Sequence, residues 1–422
     1  MKNELFYSRA FVEASFRAFH SRKRTLGYSA STRGEPALFT LFQNFEALIP
    51  YVLRAVRQVK YELSPAVAHV ISADKERIIH HFNWLDTFLL FHLARFIEIR
   101  TAPVLSESVF SYRKGRSAAL ALSRLCCFLK KSPDGCAIVR RDIKSFGECM
   151  QHDFILDDFR EFASGDEGLN DLMRQICNFR FQGNGKLIEN KRGLPGGHHI
   201  QLVCENLYLL ELDRALERLE PACYLRFGDD ILFASPDFSL ADQAGGLVRD
   251  FLAKRGVSAN VEKSRDLALG KPQNASLQGR PTSASIKYLG SEVHWDGSLS
   301  IPAMKLKPLR KLLVQRIEAA CQCLPISCTD ERRLEIAVCA VRNLVARTDA
   351  AMSEDSPLSM LYQEAHNPAQ LRELDRWLAL VVLRAAFQCG FSKGNFRRCT
   401  FSKLRALGLP SLSHLRRTSE FY

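Results

Sequence analysis

No stretch of the 422-residue sequence approaches the ~20 charge-free apolar residues that cross a bilayer as a helix. The most apolar run, Trp84 to Ile99, is broken by Asp86, His92, Arg95 and Glu98, which argues against a helical membrane protein. The N-terminal residues also lack the apolar core of a signal peptide, which predicts a chain that stays in the cytoplasm. The 13 cysteines are odd in number and contain no Cys-x-x-Cys pair, so neither a disulfide framework nor a redox motif is indicated. Cys321, Cys323 and Cys328, and the doublets His80-His81 and His198-His199, do not supply four ligands at zinc-site spacing. Internal repeats and low-complexity segments are missing as well.

What is present is an ordinary globular balance, 46% hydrophobic and 25% charged, with room for two or three domains. The net charge of +13 and pI of about 9.2 favour a polyanionic partner, with an anionic membrane surface as the competing one. Residues 301–422 carry 19 Lys and Arg against 11 Asp and Glu, so most of that excess lies in one helical-looking region. A basic helical appendage suits a groove that follows a nucleic-acid backbone, and a solvated bundle face is the alternative.

The most informative stretch is Tyr224-Leu225-Arg226-Phe227-Gly228-Asp229-Asp230-Ile231-Leu232-Phe233, two apolar runs flanking Gly-Asp-Asp. This pattern predicts a tight hairpin, because Gly supplies the positive φ that the turn needs. Two adjacent carboxylates at its tip are costly unless a cation or solvent faces them. Alone, the stretch also fits a plain exposed turn.

Upstream, residues 1 to about 60 show helical spacing of Phe39, Phe42, Phe45, Leu48, Ile49 and Val52. Lys75 to His80 reads as a short basic strand, followed by a long helix. Tyr112-Arg113-Lys114-Gly115-Arg116-Ser117 places three cations around a glycine before the helix Ala118 to Leu129, an arrangement that suits phosphate or a solvated turn. Ala137 to Ile143 reads as a buried strand ending on Asp142, and Ser145-Phe146-Gly147 then turns into a helical run. A carboxylate there is expensive without a partner. Arg192 to Gly197 is a glycine-rich loop entering a helix from Ile200 through Leu212. A helix from Leu240 to Arg255 and strands Ile286–Leu289 and Glu292–Trp295 complete an α+β pattern of helices on an antiparallel sheet. From Lys305 onward the pattern is helical, with a cap at Thr329 and breaks at Gly390 and Gly394.

In this order the stretches resemble a reverse transcriptase of the bacterial, group-II-intron-like and retron-like kind, over roughly residues 70 to 300. Arg140 to Phe146 is similar to the first palm motif, Gly193 to Gly197 through Asn206-Leu207-Tyr208-Leu209 to the glycine-loop motif, and Phe227 to Asp230 to the aromatic-x-Asp-Asp motif. Glu262-Lys263-Ser264 and Tyr288-Leu289-Gly290 resemble the two motifs that follow, and Lys75 to Ile79 and Tyr112 to Ser117 the fingers motifs. The resemblance implies a right-hand polymerase fold: an N-terminal helical extension (1–70), fingers (71–141), palm (142–304), and a helical thumb with C-terminal region (305–422). It implies RNA-directed DNA synthesis from dNTPs on a structured non-coding RNA, with cDNA as product. Two Mg²⁺ ions, for which Mn²⁺ can stand in, are implied at Asp142, Ile143, Asp229 and Asp230. It further assigns Lys75, Arg77 and Arg113 to the triphosphate, Lys263 to the leaving pyrophosphate, Phe146, Gly147, Gly196 and Gly197 to the nucleotide, and Tyr288, Leu289 and Gly290 to the primer.

Three departures bear on nucleotide choice. Gly147 stands where the family usually carries an aromatic that blocks a ribose 2′-OH, so either Phe146 takes over or sugar selection is relaxed. Gly196 replaces the usual Gln, and His198-His199 the usual Ser-Pro. Phe227-Gly228 in place of Tyr-Ala is a mild change. Leu374-Asp375-Arg376-Trp377 and Gly408 to Leu412 are similar to C-terminal segments of the "unknown group" reverse transcriptases, whose type 2 members are compact and linked to anti-phage defence. No RNase H, HNH or zinc module follows the thumb-like region. A palm-fold polymerase with relaxed sugar selection or untemplated synthesis, and a non-catalytic RNA-binding scaffold, are the alternatives.

Overall fold

The computed structural model describes residues 3–23, 38–72, 77–163, 165–183, 185–271, 276–325, 327–345 and 367–412. Two compact units emerge, Met1–Ala121 with Ala137–Leu267, and Leu122–Cys136 with Ala268–Tyr422.

The first unit holds two sheets. In one, β3 (Cys136–Asp142) lies between the strand β7 (Asp230–Ser235) and β8 (Arg265–Leu269), and β7 pairs on its other side with β6 (Cys223–Phe227). The β3–β7 and β6–β7 ladders are antiparallel. Cys136 to Val139 and all of β7 are buried, which explains their near-continuous apolar sequence. The helix Phe238–Lys254 starts on Asp237, whose carboxylate accepts the Ser239 amide at 2.8 Å. It buries Ala241, Ala244, Gly245, Val248 and Leu252, one helical stripe. A Cβ on Gly245 would lie 3.7 Å from Val139, so this helix covers β3.

The other sheet has the order β2 (Arg77–His81), β1 (Ala66–Ser72), β4 (Arg180–Gly183), β5 (Lys186–Glu189). Its β1–β4 pairing is parallel and joins segments more than 100 residues apart in the chain. The sequence reading contained β2 but neither β1 nor the β4–β5 hairpin. β4 and β5 are four residues each and exposed or half-buried, and β1, though seven residues long, is mostly exposed, so no buried apolar face marks them. Beside them, the helix Trp84–Thr101 is apolar on every side because it packs among Arg9–Lys23, Leu38–Gln43 and His199–Tyr208. Asn83 caps it by accepting the Asp86 amide at 2.8 Å. The helix expected from Ile200 through Leu212 is two, His199–Tyr208 and Leu210–Glu217, parted at Leu209.

The second unit carries the antiparallel meander β11 (Ser285–Tyr288), β12 (Ser291–His294) and β13 (Leu299–Ser300), after the short strands β9 (Ser276–Leu277) and β10 (Arg280–Ser283). Its helices Ala303–Gln322, Asp330–Val345 and Pro368–Phe387 share a core that includes Leu309, Leu313, Val338, Val341, Leu378 and Val382. Thr329 accepts the Arg332 amide at 3.3 Å and so caps the second of them. Gln370 bonds both the amide and the carbonyl of Ile301, each at 2.8 Å. Asp375 accepts from the Leu412 amide at 2.8 Å and the Ser411 hydroxyl at 3.0 Å, which brings together the two C-terminal segments singled out in the sequence.

Strand pairing joins stretches that are distant in sequence, β1 with β4 and β3 with β7. Among the described residues no helix is long and apolar enough to cross a membrane.

Candidate active site

The β6–β7 hairpin turns on two residues, Gly228 and Asp229, between the paired Phe227 and Asp230. Gly228 has φ +65°, a turn with glycine at its first central position. Only Asp229 therefore sits at the tip. Asp230 is already in the ladder, directly opposite Asp142 at the end of β3. The Ile143 amide donates to the Asp229 carbonyl at 3.1 Å, which ties the tip to the chain leaving β3. The two strand ends thus bring Asp142, Ile143, Asp229 and Asp230 into one cluster.

Lys263 joins them from a turn fixed to the same strand. The Asn260 amide donates to the Asp142 carbonyl at 2.6 Å, and the Lys263 ammonium lies 2.9 and 3.0 Å from the two Asp142 carboxylate oxygens. Asp230 is held differently: Arg140 donates to both of its oxygens, at 2.9 and 2.6 Å. Burial pushes the Asp229 carboxyl above its ordinary range, the neighbouring Asp142 adds to this, and Lys263 opposes it. Burial raises Asp230 too, against the pull of Arg140.

Beneath the turn lies a buried polar network that the sequence reading missed. Arg226 is fully buried; it makes a bidentate pair with Asp213, both contacts at 2.7 Å, and donates to Asn206 at 2.9 Å and to the Gly228 carbonyl at 3.2 Å. The Tyr224 hydroxyl donates to Asp213 at 2.5 Å, and the Gly228 amide to the Ser111 hydroxyl at 2.7 Å. A charged residue inside the apolar run Tyr224 to Phe227 was the available signal, since a buried guanidinium demands a partner.

The glycine loop is fixed to β2. The His80 amide donates to the Gly196 carbonyl and the Gly196 amide to His80 Nδ1, both at 3.1 Å. A Cβ on Gly196 would meet the Ile78 carbonyl at 2.4 Å, and one on Gly197, at φ +85°, the Ile79 side chain at 2.8 Å. Both glycines are therefore required by the close approach of the strand. The Leu194 amide donates to the Gly147 carbonyl at 3.0 Å, so the loop also touches the turn after β3.

At Gly147 the surroundings are specific. A Cβ there would stand 1.5 Å from Nε2 of Gln201, a residue that the sequence reading did not single out. Nε2 of Gln201 lies 3.0 Å from a carboxylate oxygen of the buried Glu205. Burial pushes the Glu205 carboxyl up to about 7, with the charge of Asp229 adding to the shift and the Gln201 bond opposing it. Phe146 is 3% exposed, with its ring edge-on to Tyr208 at 5.8 Å, so it does not take over the space at position 147.

The remaining expectations divide. Lys75 lies outside the described residues, and only the backbone of Arg77, in β2, is described. Arg113 does not present its guanidinium to a triphosphate in this arrangement: it donates to the carbonyls of Ser106 at 2.5 Å and Val109 at 3.2 Å, with Glu107 at 3.9 Å. Tyr288, Leu289 and Gly290 belong to the second unit, where Leu289 (φ +45°) and Gly290 (φ +78°) form the tight turn between β11 and β12. Tyr288 is buried.

Among the described residues no three His, Cys, Asp or Glu side chains form a ready-made metal cage. The donor set nonetheless fits Mg²⁺, which takes one or two carboxylates together with substrate phosphates and water. Asp142 and Asp229, crowded and with the latter reluctant to ionise, gain from a divalent cation. Asp230, already bound by Arg140, fits a supporting part better than a ligand's.

Residues 75–293 match the family described as reverse transcriptase (RNA-dependent DNA polymerase). No curated protein matches the sequence. Solved structures similar to this chain include apo telomerase from Candida tropicalis truncated from its C-terminal domain, at 10% identity and TM-score 0.45, covering 60% of this chain and 59% of that one. Telomerase from Candida albicans in complex with a TWJ fragment of telomeric RNA is similar at 12% identity and TM-score 0.45, covering 90% of this chain and 70% of that one. The corresponding Candida tropicalis complex gives 11% identity and TM-score 0.47, over 89% of this chain and 68% of that one.

Proposed function

The chain belongs to the reverse transcriptase (RNA-dependent DNA polymerase) family, and from that premise we propose that it copies an RNA template into cDNA from dNTPs by two-metal nucleotidyl transfer. The observation that carries this reading is the β3–β7 register, which sets Asp142 opposite Asp230 and beside Asp229 at the end of the sheet. Reverse transcriptase domains work with divalent metals, typically Mg²⁺. A pair of such ions supplies Lewis-acid stabilisation of the attacking and leaving oxygens. Asp142, Asp229 and the Ile143 carbonyl would hold them, with Asp230 as the buttress that Arg140 secures. Lys263, which pairs with Asp142, would meet the charge of a departing pyrophosphate.

We further infer a structured non-coding RNA as template, bound by the basic helices of residues 301–422 acting as the thumb, and a cytoplasmic role in anti-phage defence. The charge of that region and the likeness of its C-terminal segments support this. The first test is primer extension with dNTPs on a primed RNA template in Mg²⁺. Extension by the wild type, its loss in Asp142→Asn and Asp229→Asn, and RNA binding retained in both are expected. A wild type that extends with no dNTP would sink the reading. Biological activity that survives Asp229→Ala plus Asp230→Ala would favour the scaffold.

A further inference from the structure

The space over Gly147 is filled, and the residue that fills it is well placed to touch substrate. A Cβ at position 147 would lie 1.5 Å from Nε2, 2.4 Å from Cδ and 2.9 Å from Cγ of Gln201. The Gln201 side chain therefore rests directly on the Gly147 backbone, and no residue larger than glycine fits beneath it without moving the whole amide. This is a contact between two segments, the turn after β3 and the helix His199–Tyr208, rather than an incidental surface approach.

The amide is held in place. Its Nε2 is 3.0 Å from Glu205, four residues along the same helix and therefore on the same face. Glu205 is 6% exposed, whereas Gln201 is only partly buried, so the pair has an anchored end and an end that borders accessible space. The nitrogen gives one of its two hydrogens to Glu205, which leaves its second N–H and the amide carbonyl for a hydroxyl.

The surroundings locate this amide within the site. Gly147 follows Asp142 by five residues, its carbonyl receives the Leu194 amide of the glycine loop, and Glu205 lies within electrostatic reach of Asp229. Gln201 thus rests on the residue that the glycine loop also contacts, and is bonded to a carboxyl that feels the charge of Asp229. A nucleotide whose α-phosphate is engaged at Asp142 and Asp229 carries its sugar immediately next to that phosphate. Phe146 offers no alternative wall, being buried against Tyr208.

We propose that Gln201, anchored by Glu205 and seated on Gly147, is the residue that meets the sugar of the incoming nucleotide and sets the choice between deoxyribose and ribose. The proposal rests on the polymerase reading above. It makes the selecting group a polar side chain from the helix after the glycine loop. Gly147 is then the residue that makes room for it.

The test is single-nucleotide incorporation by the full chain on one primed RNA template in Mg²⁺, comparing kcat/KM for a dNTP and the matching NTP. In Gln201→Ala the dNTP-over-NTP ratio is expected to fall by about tenfold or more, through a gain with NTP, because a pocket that loses filling atoms discriminates less by that order. Gln201→Asn, which keeps the amide but draws it back by one methylene, should lower the ratio by less. Adding Gly147→Phe to Gln201→Ala refills the space and should raise the ratio again. Discrimination between matched and mismatched bases should not move, which a general loosening of the fold would not allow. A ratio within about twofold of wild type in both single variants, with dNTP incorporation persisting, would overturn the proposal while leaving the polymerase reading intact. A wild type that incorporates neither dNTP nor NTP would overturn both.

Discussion

Arg140 grips both carboxylate oxygens of Asp230, at 2.9 and 2.6 Å, inside the same ladder that pairs Asp230 with Asp142. Asp230 is 8% exposed, so removing the guanidinium leaves a largely buried carboxylate without its partner. Arg140→Met is expected to lower the unfolding free energy by about 3 kcal/mol, the size seen when one partner of a buried pair is deleted. Urea denaturation checks this. In the Lys263–Asp142 pair the lysine side chain is 58% exposed but the carboxylate only 9%. Lys263→Met therefore also leaves a buried carboxylate without its partner and should lower stability by about 1–3 kcal/mol.

The Arg226–Asp213 pair lies deeper, with both side chains at 0% exposure. Asp213→Ala is expected to cost about 3–5 kcal/mol, or to prevent folding, since it leaves a guanidinium buried. Tyr224→Phe removes one hydrogen bond to the same carboxylate and should cost only about 1 kcal/mol. A ranking with Tyr224→Phe the more damaging would show that the hydroxyl, and not the ion pair, organises the hairpin. Denaturation midpoints of the two variants decide.

Glu205 gives a pH dependence whose sign is fixed by its environment. Its carboxyl is raised from 4.5 to about 7, chiefly by burial. The folded chain therefore binds this proton more tightly than the unfolded one. Below pH 4.5 both states are protonated and the group is neutral to stability. As pH rises through the interval to 7, ionisation is easier in the unfolded state, so stability falls. Glu205→Gln should flatten the stability profile over that interval and stabilise the protein at pH 8, as thermal melts from pH 5 to 8 would register.

What the sequence made legible was the part built from local rules. A two-residue turn at Gly228-Asp229, a buried strand ending on Asp142 and the helical pattern from Lys305 onward all follow from propensity and periodicity. Pairing is not a local property. The parallel β1–β4 contact and the position of Asp230 within a ladder depend on which segments meet, and so do the partners Arg140 and Gln201. Arg113 shows the converse: a cation beside a glycine suits phosphate, yet here its donors are taken by the carbonyls of Ser106 and Val109. Only the fold decides whether a charged group faces substrate or its own backbone.

Asp375 provides a final test, in the second unit. Its carboxylate receives the Leu412 amide at 2.8 Å and the Ser411 hydroxyl at 3.0 Å, with Arg405 at 3.4 Å. The three contacts converge on one buried group in the helix Pro368–Phe387 and hold the segment after the helix Phe401–Ala406 against it. Asp375→Ala removes the two hydrogen bonds and the ion pair with Arg405 and should cost about 2–3 kcal/mol, hydrogen bonds to a charged group being the stronger kind. The loss should be local. Hydrogen exchange is expected to quicken at the Leu412 amide and its neighbours, while the amides of Leu378 to Leu383 in the helix core keep their protection. Equal loss of protection in both places would mean that Asp375 supports the whole helical core, and the clasp would then be a consequence of that packing.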